Sequence, residues 1–387
     1  MSRYRIGIIF GSRSTEHEVS IVTAMQVISF LRERHDVIPI YITKEGKWLT
    51  AAKLGTASTF QNLNLQDREL QSLVITPDAK IKALIAPLAK GIFSRSKKIE
   101  LDVVFPLVHG LHGEDGTLQG LLELADIPYV GCDVISSAIC RDKILAKYAL
   151  RGAGLPVLDF YWFTRVEWET HEIDVINSIE EKFNYPVIVK PARLGSSIGI
   201  AISKNADELK FNISVASNFD TRLIVEPCVQ EKTEINCSVL GYKNIRASVC
   251  EQPIASGEFL SFEDKYLQNK SRGFEGAKRI IPAPISDETT AKIKEISLSS
   301  FKAVGARGVV RIDFLIDQRT NQIYINEINT IPGSIAYYLW EPAGVSKYEL
   351  VDTLLEYAFD AFNEKSRTKF GAGPLLLQDV DLLSLKK

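Results

Sequence analysis

Short apolar runs separated by amphipathic stretches set the pattern of the first third of the chain. Arg5–Phe10 and Val37–Ile42 are continuous apolar runs that predict buried strands, and Ser20–Glu33 between them is spaced as a helix. Leu101–Pro106 predicts another buried strand, followed by a helix over Leu118–Ala125 and a short strand at Pro128–Val130. Strand–helix alternation with apolar strands predicts the α/β class with an open parallel sheet. Residues 51–72 are rich in Ala, Ser, Thr, Gln and Asn and read as a peripheral insertion; Arg95–Lys98 reads as a basic turn.

From Gly131 the pattern changes. A helix over Ser136–Gly152 precedes two strands, Tyr185–Lys190 and Ile198–Ile202, with a Gly/Ser loop between them and a helix over Ala206–Ser217 after them. A third unit opens with a strand at Leu223–Val225. It continues with strands at Ile235–Leu240, Val309–Ile316 and Ile323–Ile328 and a helix over Tyr348–Lys365. Gln268–Arg279 holds four Lys/Arg and two Gly and reads as a mobile loop. The expected division is 1–131, an N-terminal α/β unit; 132–222, a central unit; 223–370, a C-terminal α+β unit; and 371–387, a peripheral tail. No internal repeat is visible.

Composition narrows the function classes. With 387 residues the chain is long enough for two or three domains. Apolar residues are 45% and charged residues 24%, the balance of a folded globular protein rather than a disordered one. Lys+Arg is 46 against 48 Asp+Glu, a net charge of -2, so there is no basic excess to carry nucleic-acid binding. No apolar run approaches the roughly 18 residues of a membrane span. The five cysteines, Cys132, Cys140, Cys228, Cys237 and Cys250, are odd in number and form no CxxC, which argues against a disulfide framework or a zinc site. The apolar N-terminal run is too short for a signal peptide with its cleavage site, and a cytoplasmic location is expected.

Four segments could carry chemistry. Lys190-Pro191-Ala192-Arg193-Leu194-Gly195-Ser196-Ser197-Ile198-Gly199 ends a strand in lysine and follows it with a small-residue loop. Such a loop lets backbone N–H groups approach an anion, although a plain hairpin turn uses the same residues. Arg311-Ile312-Asp313-Phe314 and Asn326-Glu327-Ile328-Asn329 flank a polar turn. A turn centred near Arg319–Thr320 sets Asp313 opposite Glu327 and Arg311 opposite Asn329, all on one face. Two carboxylates and an amide oxygen suit Mg²⁺ completed by substrate phosphates; the plainer alternative is a solvated sheet face. His109-Gly110-Leu111-His112-Gly113-Glu114-Asp115-Gly116 follows a strand and reads as a tight loop beside a ligand. Gly11 through His17 does the same after the first strand, where its hydroxyls could merely cap a helix.

Taken together, these segments resemble the ATP-grasp enzymes and, within them, the D-alanine:D-alanine ligases. The resemblance spans roughly residues 4–365. It rests on Ser14-Thr15-Glu16-His17-Glu18-Val19-Ser20, on the run from His109 to Gly120, and on Ile127-Pro128-Tyr129-Val130-Gly131. It continues through Arg141-Asp142-Lys143, Gly154-Leu155-Pro156-Val157, Val189-Lys190-Pro191 with its Gly/Ser loop, and Asn326 through Gly333. It implies an ATP-grasp architecture and ligation of two D-alanines through an acyl phosphate for peptidoglycan synthesis. Implied cofactors are ATP and two Mg²⁺, with Mn²⁺ as a substitute. Residue by residue, Lys143 and Lys190 would contact ATP phosphates, with Ser196 and Ser197 in the loop above them. Glu226 and Glu234 would hold the adenine and ribose. Asp313, Glu327 and Asn329 would bind the metals. Glu16, helped by Ser196, would bind the first ammonium, with His109 nearby. Arg311 and the Gly333 N–H would stabilise the oxyanion, and Lys265 and Tyr266 would belong to a closing loop. The implied partners are small D-amino acids, with no nucleic acid and no membrane. A homodimer is common in that family, but nothing else in the sequence signals one.

Three residues depart from the family pattern. Ser12 stands where a second glycine is usual, and Pro227 where a lysine is common. After Gly333 the chain runs about three residues short, and Tyr338 falls at the count where a serine meets the second substrate. The acceptor is therefore open between D-alanine and D-lactate, D-serine or another amine. A nucleotide-binding protein without ligase turnover is the rival of another class.

Overall fold

The computed structural model describes residues 3–87, 97–254 and 278–368. The N-terminal sheet is built as the apolar runs predict. Its central strand Arg5–Gly11 pairs in parallel with Asp36–Ile42 on one side and with Val103–Pro106 on the other. Helix His17–Leu31 buries Val27, Ile28 and Leu31 against this sheet. The expected strand Pro128–Val130 is reduced to one parallel bridge, Val104 to Tyr129. Lys97 and Lys98, expected in a turn, instead open strand Lys97–Glu100, which pairs with Ala83–Ala86.

Residues 51–72 are less peripheral than their polar composition suggests. Two 3₁₀ turns, Ala52–Gly55 and Ala57–Gln61, carry Leu54 and Phe60 inward. Leu54 is fully buried. The Phe60 ring meets Phe10 and Tyr41 edge-on at 5.7 and 5.2 Å. Two apolar anchors in a polar stretch are enough to tie it to the core over the inner strands of the sheet.

The helix expected over Ser136–Gly152 breaks into Val134–Arg141 and Lys143–Gly152. Asp142 causes the break. Its Oδ1 accepts hydrogen bonds from the N–H groups of Ile144 and Leu145 at 3.0 and 3.1 Å, capping the second helix. Arg222 pairs with its other oxygen at 2.5 Å. The break turns Arg141 and Lys143, on either side of Asp142, toward one cleft.

The central sheet runs Ala201–Ser203, Val187–Pro191, Arg222–Pro227, Tyr161–Thr164, all antiparallel. Strand Arg222–Pro227 belongs to this sheet, although the sequence division places most of it in the third unit. The C-terminal sheet runs Arg279–Ile280, Arg246–Pro253, Lys232–Gly241, Gly308–Asp317, Ile323–Asn329. Arg279 is therefore paired, opposite Pro253, and not part of a loop. Helix Asp287–Ala303, capped by Ser286, packs Ile293, Ile296 and Phe301 on this sheet. Helix Lys347–Ser366 and the segment around Trp340 close against helix His17–Leu31, so one core joins the first and last sheets. Among the described residues no helix is long and apolar enough to cross a membrane. The tail after Gly371 lies outside the described residues.

Candidate active site

The sheets meet around a cleft of about 1070 Å³. At its N-terminal end the chain turns sharply after the first strand, with Gly11 at φ 92° and Ser12 at φ 85°. Ser12 thus occupies a left-handed position that glycine adopts more easily, at the point where the sequence departs from the family pattern. It is held there by its N–H on the Ile42 carbonyl at 2.7 Å and by its carbonyl, 2.7 Å from His17 Nδ1. The turn sets Glu16 just ahead of helix His17–Leu31, where a carboxylate is favoured by the helix dipole. Glu16 is only 7% exposed. Ser196 Oγ donates to its Oε1 at 2.5 Å, and Arg141 Nη2 lies 3.7 Å from its Oε2. Gly110, at φ 75°, has to be glycine: a Cβ there would fall 2.7 Å from Glu16 Oε2.

Two residues of this corner were quoted in the sequence motifs without a role. Arg141 Nη1 bonds Glu114 Oε2 at 3.0 Å, and the Gly110 N–H donates to the same oxygen at 3.1 Å. Burial pushes the Glu114 carboxyl up to about 7, with Arg141 pulling the other way. His109 stands behind the cleft wall rather than in it. Its Nε2 is 3.0 Å from the hydroxyl of Thr23, which does line the cleft, and burial pushes the ring down to about 4. The Thr23 hydroxyl also accepts the Ser334 N–H at 3.2 Å, and His109 Nδ1 lies 4.0 Å from Glu114, which lines the cleft as well.

The central sheet supplies Lys190 and helix Lys143–Gly152 supplies Lys143. Lys190 ends its strand with Nζ 2.6 Å from Glu226 and 3.2 Å from Asn326 Oδ1. Lys143 Nζ donates to the Leu194 carbonyl at 2.6 Å and lies 3.9 Å from Glu327. Burial pushes its ammonium down, with Glu327 opposing. Ser196 and Ser197 sit at φ 55° and 60°, so the loop above the lysines is a left-handed turn made without glycine at these two positions. Glu234 lines the cleft with Lys232 3.4 Å away.

Glu226 is placed differently from the expectation that it meets adenine. It is fully buried between Lys190 and Lys147, whose Nζ is 2.5 Å from its other oxygen. Burial opposes its charge, yet the two lysines hold the carboxyl at about 2. Its reading here is that of a buried counter-ion that aims Lys190. Glu226→Gln is expected to leave two buried ammonium groups short of a partner and to cost about 3 kcal/mol of stability. The sign with pH follows from the depressed value. The stabilisation is complete above the unfolded carboxyl's range near 4.5 and is lost as pH falls toward about 2. Denaturant unfolding of both proteins at pH 7 and pH 3 checks this: the gap between them should narrow in acid.

The C-terminal sheet carries the cleft's polar floor. Arg311 pairs with Asn329 and Asp313 with Glu327, as the sequence register predicts. The row extends further: Asp313 also faces Asn236, and Asn236 faces Glu251. Glu251, Asn236, Asp313 and Glu327 thus form one row across four strands, and Ser238, Arg311 and Asn329 form the next row on the same face. Arg311 grips Asp313 with two bonds of 2.7 and 2.8 Å, and Asn329 Nδ2 donates to Asp313 at 3.0 Å. Burial works against the Arg311 charge, but Asp313 outweighs it and holds the guanidinium protonated. Two carboxylates and an amide oxygen on adjacent strands of an open cleft fit a hard divalent cation. Among the described residues no three His, Cys, Asp or Glu side chains converge as an all-protein cage, so substrate oxygens would have to complete the shell.

Beyond Gly333 the backbone is unusual. Ser334, Ile335 and Ala336 have φ of 56°, 49° and 52°, a left-handed turn of three non-glycine residues. Buried Ile335 and Trp340 fix it in the core, with Trp340 Nε1 donating to Ser238 at 3.0 Å. The turn brings Tyr338 into the cleft, where its hydroxyl donates to Glu251 at 3.2 Å. Glu251, missed by the sequence reading, is buried and also accepts from Asn236 Nδ2 at 2.9 Å. The cleft therefore brings together Glu16, Ser196, Ser197, Lys143, Lys190, Glu234, Arg311, Asp313, Glu327, Asn329, Gly333 and Tyr338. Lys265 and Tyr266 lie outside the described residues.

Comparison with known proteins follows this geometry. Residues 5–132 match the family described as D-ala D-ala ligase N-terminus, and residues 149–356 the one described as D-ala D-ala ligase C-terminus. The D-alanine–D-alanine ligase of Thermosipho africanus is 40% identical over 382 residues, covering 98% of each chain. The D-alanine–D-alanine ligase of Caldicellulosiruptor bescii is 40% identical over 377 residues, 96% of this chain and 99% of the relative. Among solved structures, the VanG D-Ala:D-Ser ligase of Enterococcus faecalis superposes with a TM-score of 0.78 at 32% identity, covering 92% of this chain and all of that one (100%). The D-alanine-D-alanine ligase of Coxiella burnetii gives 0.77 at 29% identity, covering 94% of this chain and 98% of that one.

Proposed function

The chain belongs to the D-alanine:D-alanine ligase family, and we propose that it joins two D-alanines into D-alanyl-D-alanine, a peptidoglycan building block, with cleavage of ATP to ADP and phosphate. The observation that carries this reading is the coexistence, in one cleft, of buried Glu16 with its Ser196 and Arg141 contacts, Lys143 and Lys190, and the Arg311–Asp313–Glu327–Asn329 floor. A cytoplasmic location, where ATP is supplied, is part of this proposal.

The residues divide the work by their chemistry. Glu16 takes the ammonium of the first D-alanine, and its Oε2, which accepts no hydrogen bond and lies 3.7 Å from Arg141, is the acceptor that this cation needs. The carboxylate of that substrate is thereby turned toward the γ-phosphate of ATP, and its oxygen attacks phosphorus. The β–γ bond breaks, giving an acyl phosphate and ADP. Lys143 and Lys190 neutralise phosphate oxygens during the transfer, with Lys190 aimed by Glu226. Asp313, Glu327 and Asn329 would hold Mg²⁺, whose charge, when bound, stabilises the phosphoryl oxygens. The amine of the second D-alanine then attacks the acyl carbon. The oxyanion that forms is met by Arg311 and the Gly333 N–H, and it collapses with loss of phosphate. Glu234 is the residue on the wall for the ribose hydroxyls.

The test is ADP release with Mg-ATP and D-alanine alone, with mass spectrometry of the product. A D-alanyl-D-alanine peak is expected. ADP without dipeptide would keep the activation half and remove D-alanine as the acceptor; neither product would overturn the ligase reading.

A further inference from the structure

The acceptor end of the cleft is where the sequence departs from its family, and it carries a constellation of its own. Tyr338, Glu251, Asn236 and Arg279 come from four separate segments and all line the cleft. The Arg279 guanidinium carbon sits 3.9 Å from the centre of the Tyr338 ring, a stacked cation. Its Nη1 is 3.4 Å from Glu251 Oε2, while the other Glu251 oxygen receives Tyr338 and Asn236. Glu251 thus holds both members of the stack.

We propose that Arg279, stacked on Tyr338 and anchored by Glu251, is the specificity-determining residue that recognises the carboxylate of the second amino acid. This rests on the ligase reading above and names the group that the reading leaves open. Two arguments support it. An acceptor amino acid brings a carboxylate that must be desolvated in the cleft, and such a group needs a cation or several donors. Second, Glu251 lies two strands from Asp313 in the same cross-sheet row. Two strand spacings are about 10 Å, room for one small amino acid between the phosphoryl end and Arg279. Tyr338 then replaces the family's serine as a platform that aims a cation, rather than as a direct hydroxyl contact.

The full chain is assayed by dipeptide formation, with D-alanine and, separately, D-alaninamide as acceptors. Arg279→Met keeps the apolar stem over Tyr338 and removes the charge. The expected result is an acceptor KM for D-alanine raised by about 10- to 100-fold, the range for one lost charge-assisted bond, with the ATP KM unchanged and D-alaninamide used as well as by the wild type. Arg279→Lys, a point charge without the fork, should recover part of the loss. An unchanged acceptor KM, or an equal loss with D-alaninamide, would overturn the proposal. A rise in the ATP KM to the same extent would overturn it too, by showing a merely structural role. If the wild type forms no dipeptide, the ligase reading fails first and this inference falls with it. If the wild type is active and Arg279→Met matches it, only the inference fails.

Discussion

Arg311→Met should lower kcat by about 10²–10³-fold, the loss typical of a removed oxyanion donor, while the KM for ATP stays within a few-fold of the wild type. The direction follows from what Arg311 touches. Its fork is bidentate on Asp313, and it is half-buried in the sheet row facing the cleft. Removing it leaves Asp313 with more negative charge, not less, so a cation bound there is not weakened by the change. Nucleotide affinity should therefore persist. On the proposed mechanism, what disappears is the positive charge that meets the oxygen of the tetrahedral intermediate, an interaction present only after the amine has attacked. Loss confined to kcat is the signature of such a contact. Steady-state kinetics in ATP at saturating D-alanine separates the two parameters. A raised ATP KM at wild-type kcat would assign Arg311 to nucleotide binding through Asp313 instead.

Much of this site was legible because β-structure is periodic. Side chains alternate with period two, so one assumed turn centre fixed which residues of Gly308–Asp317 and Ile323–Asn329 face each other. The structure reaches the same pairing by a less simple route. Pairs near the turn run Ile316 to Ile323, Leu315 to Tyr324 and Phe314 to Ile325, and a bulge then shifts the register to Asp313 with Glu327. The residue left unpaired, Asn326, is the one whose Oδ1 receives Lys190 at 3.2 Å. The bulge thus brings a residue of the opposite parity into the cleft, as bulges beside active sites commonly do. A pattern of apolar and polar positions carries no mark of that event.

The residues that were missed share a different property. Glu251 joins the row only because Arg246–Pro253 pairs with Lys232–Gly241, and sheet order is not written in local periodicity. Glu226 was given a nucleotide contact by the family resemblance, and nothing local in the sequence marks it as a counter-ion. Its burial between Lys147 and Lys190 depends on a helix and a strand more than thirty residues away in the chain. Leu54 and Phe60 were hidden for the converse reason: two apolar residues in a polar segment give no periodic signal, yet they are what the core takes in. Asp142 breaks a pattern that is helical on both sides. Capping preference announces such a break only when the chain is read for competing hydrogen bonds as well as for spacing.

Glu327→Gln should be the most damaging conservative change in the cleft. The substitution preserves size and a hydrogen-bonding oxygen, so the fold should persist: the residue sits on a hairpin whose core contacts come from Ile325 and Ile328. It removes one of the two carboxylates on the polar floor. A hard cation held by few protein oxygens depends on their charge, because neutral amides compete poorly with water for it. A second effect adds to this. Lys143 lies 3.9 Å from Glu327, and that carboxylate opposes the burial that pushes the lysine toward neutrality. With the charge gone, Lys143 is less firmly protonated, and the phosphate loses cationic partners on two sides at once. Metal charge stabilisation is worth several kcal/mol in the transition state, so turnover at saturating ATP is expected to fall by roughly 10³-fold or more. The Mg²⁺ concentration giving half-maximal rate should rise as well. A magnesium titration of ADP release, run beside Arg311→Met, distinguishes the two sites. Glu327→Gln should move the titration midpoint, and Arg311→Met should lower the plateau at an unchanged midpoint. Wild-type turnover and an unmoved midpoint in Glu327→Gln would remove the metal from this hairpin.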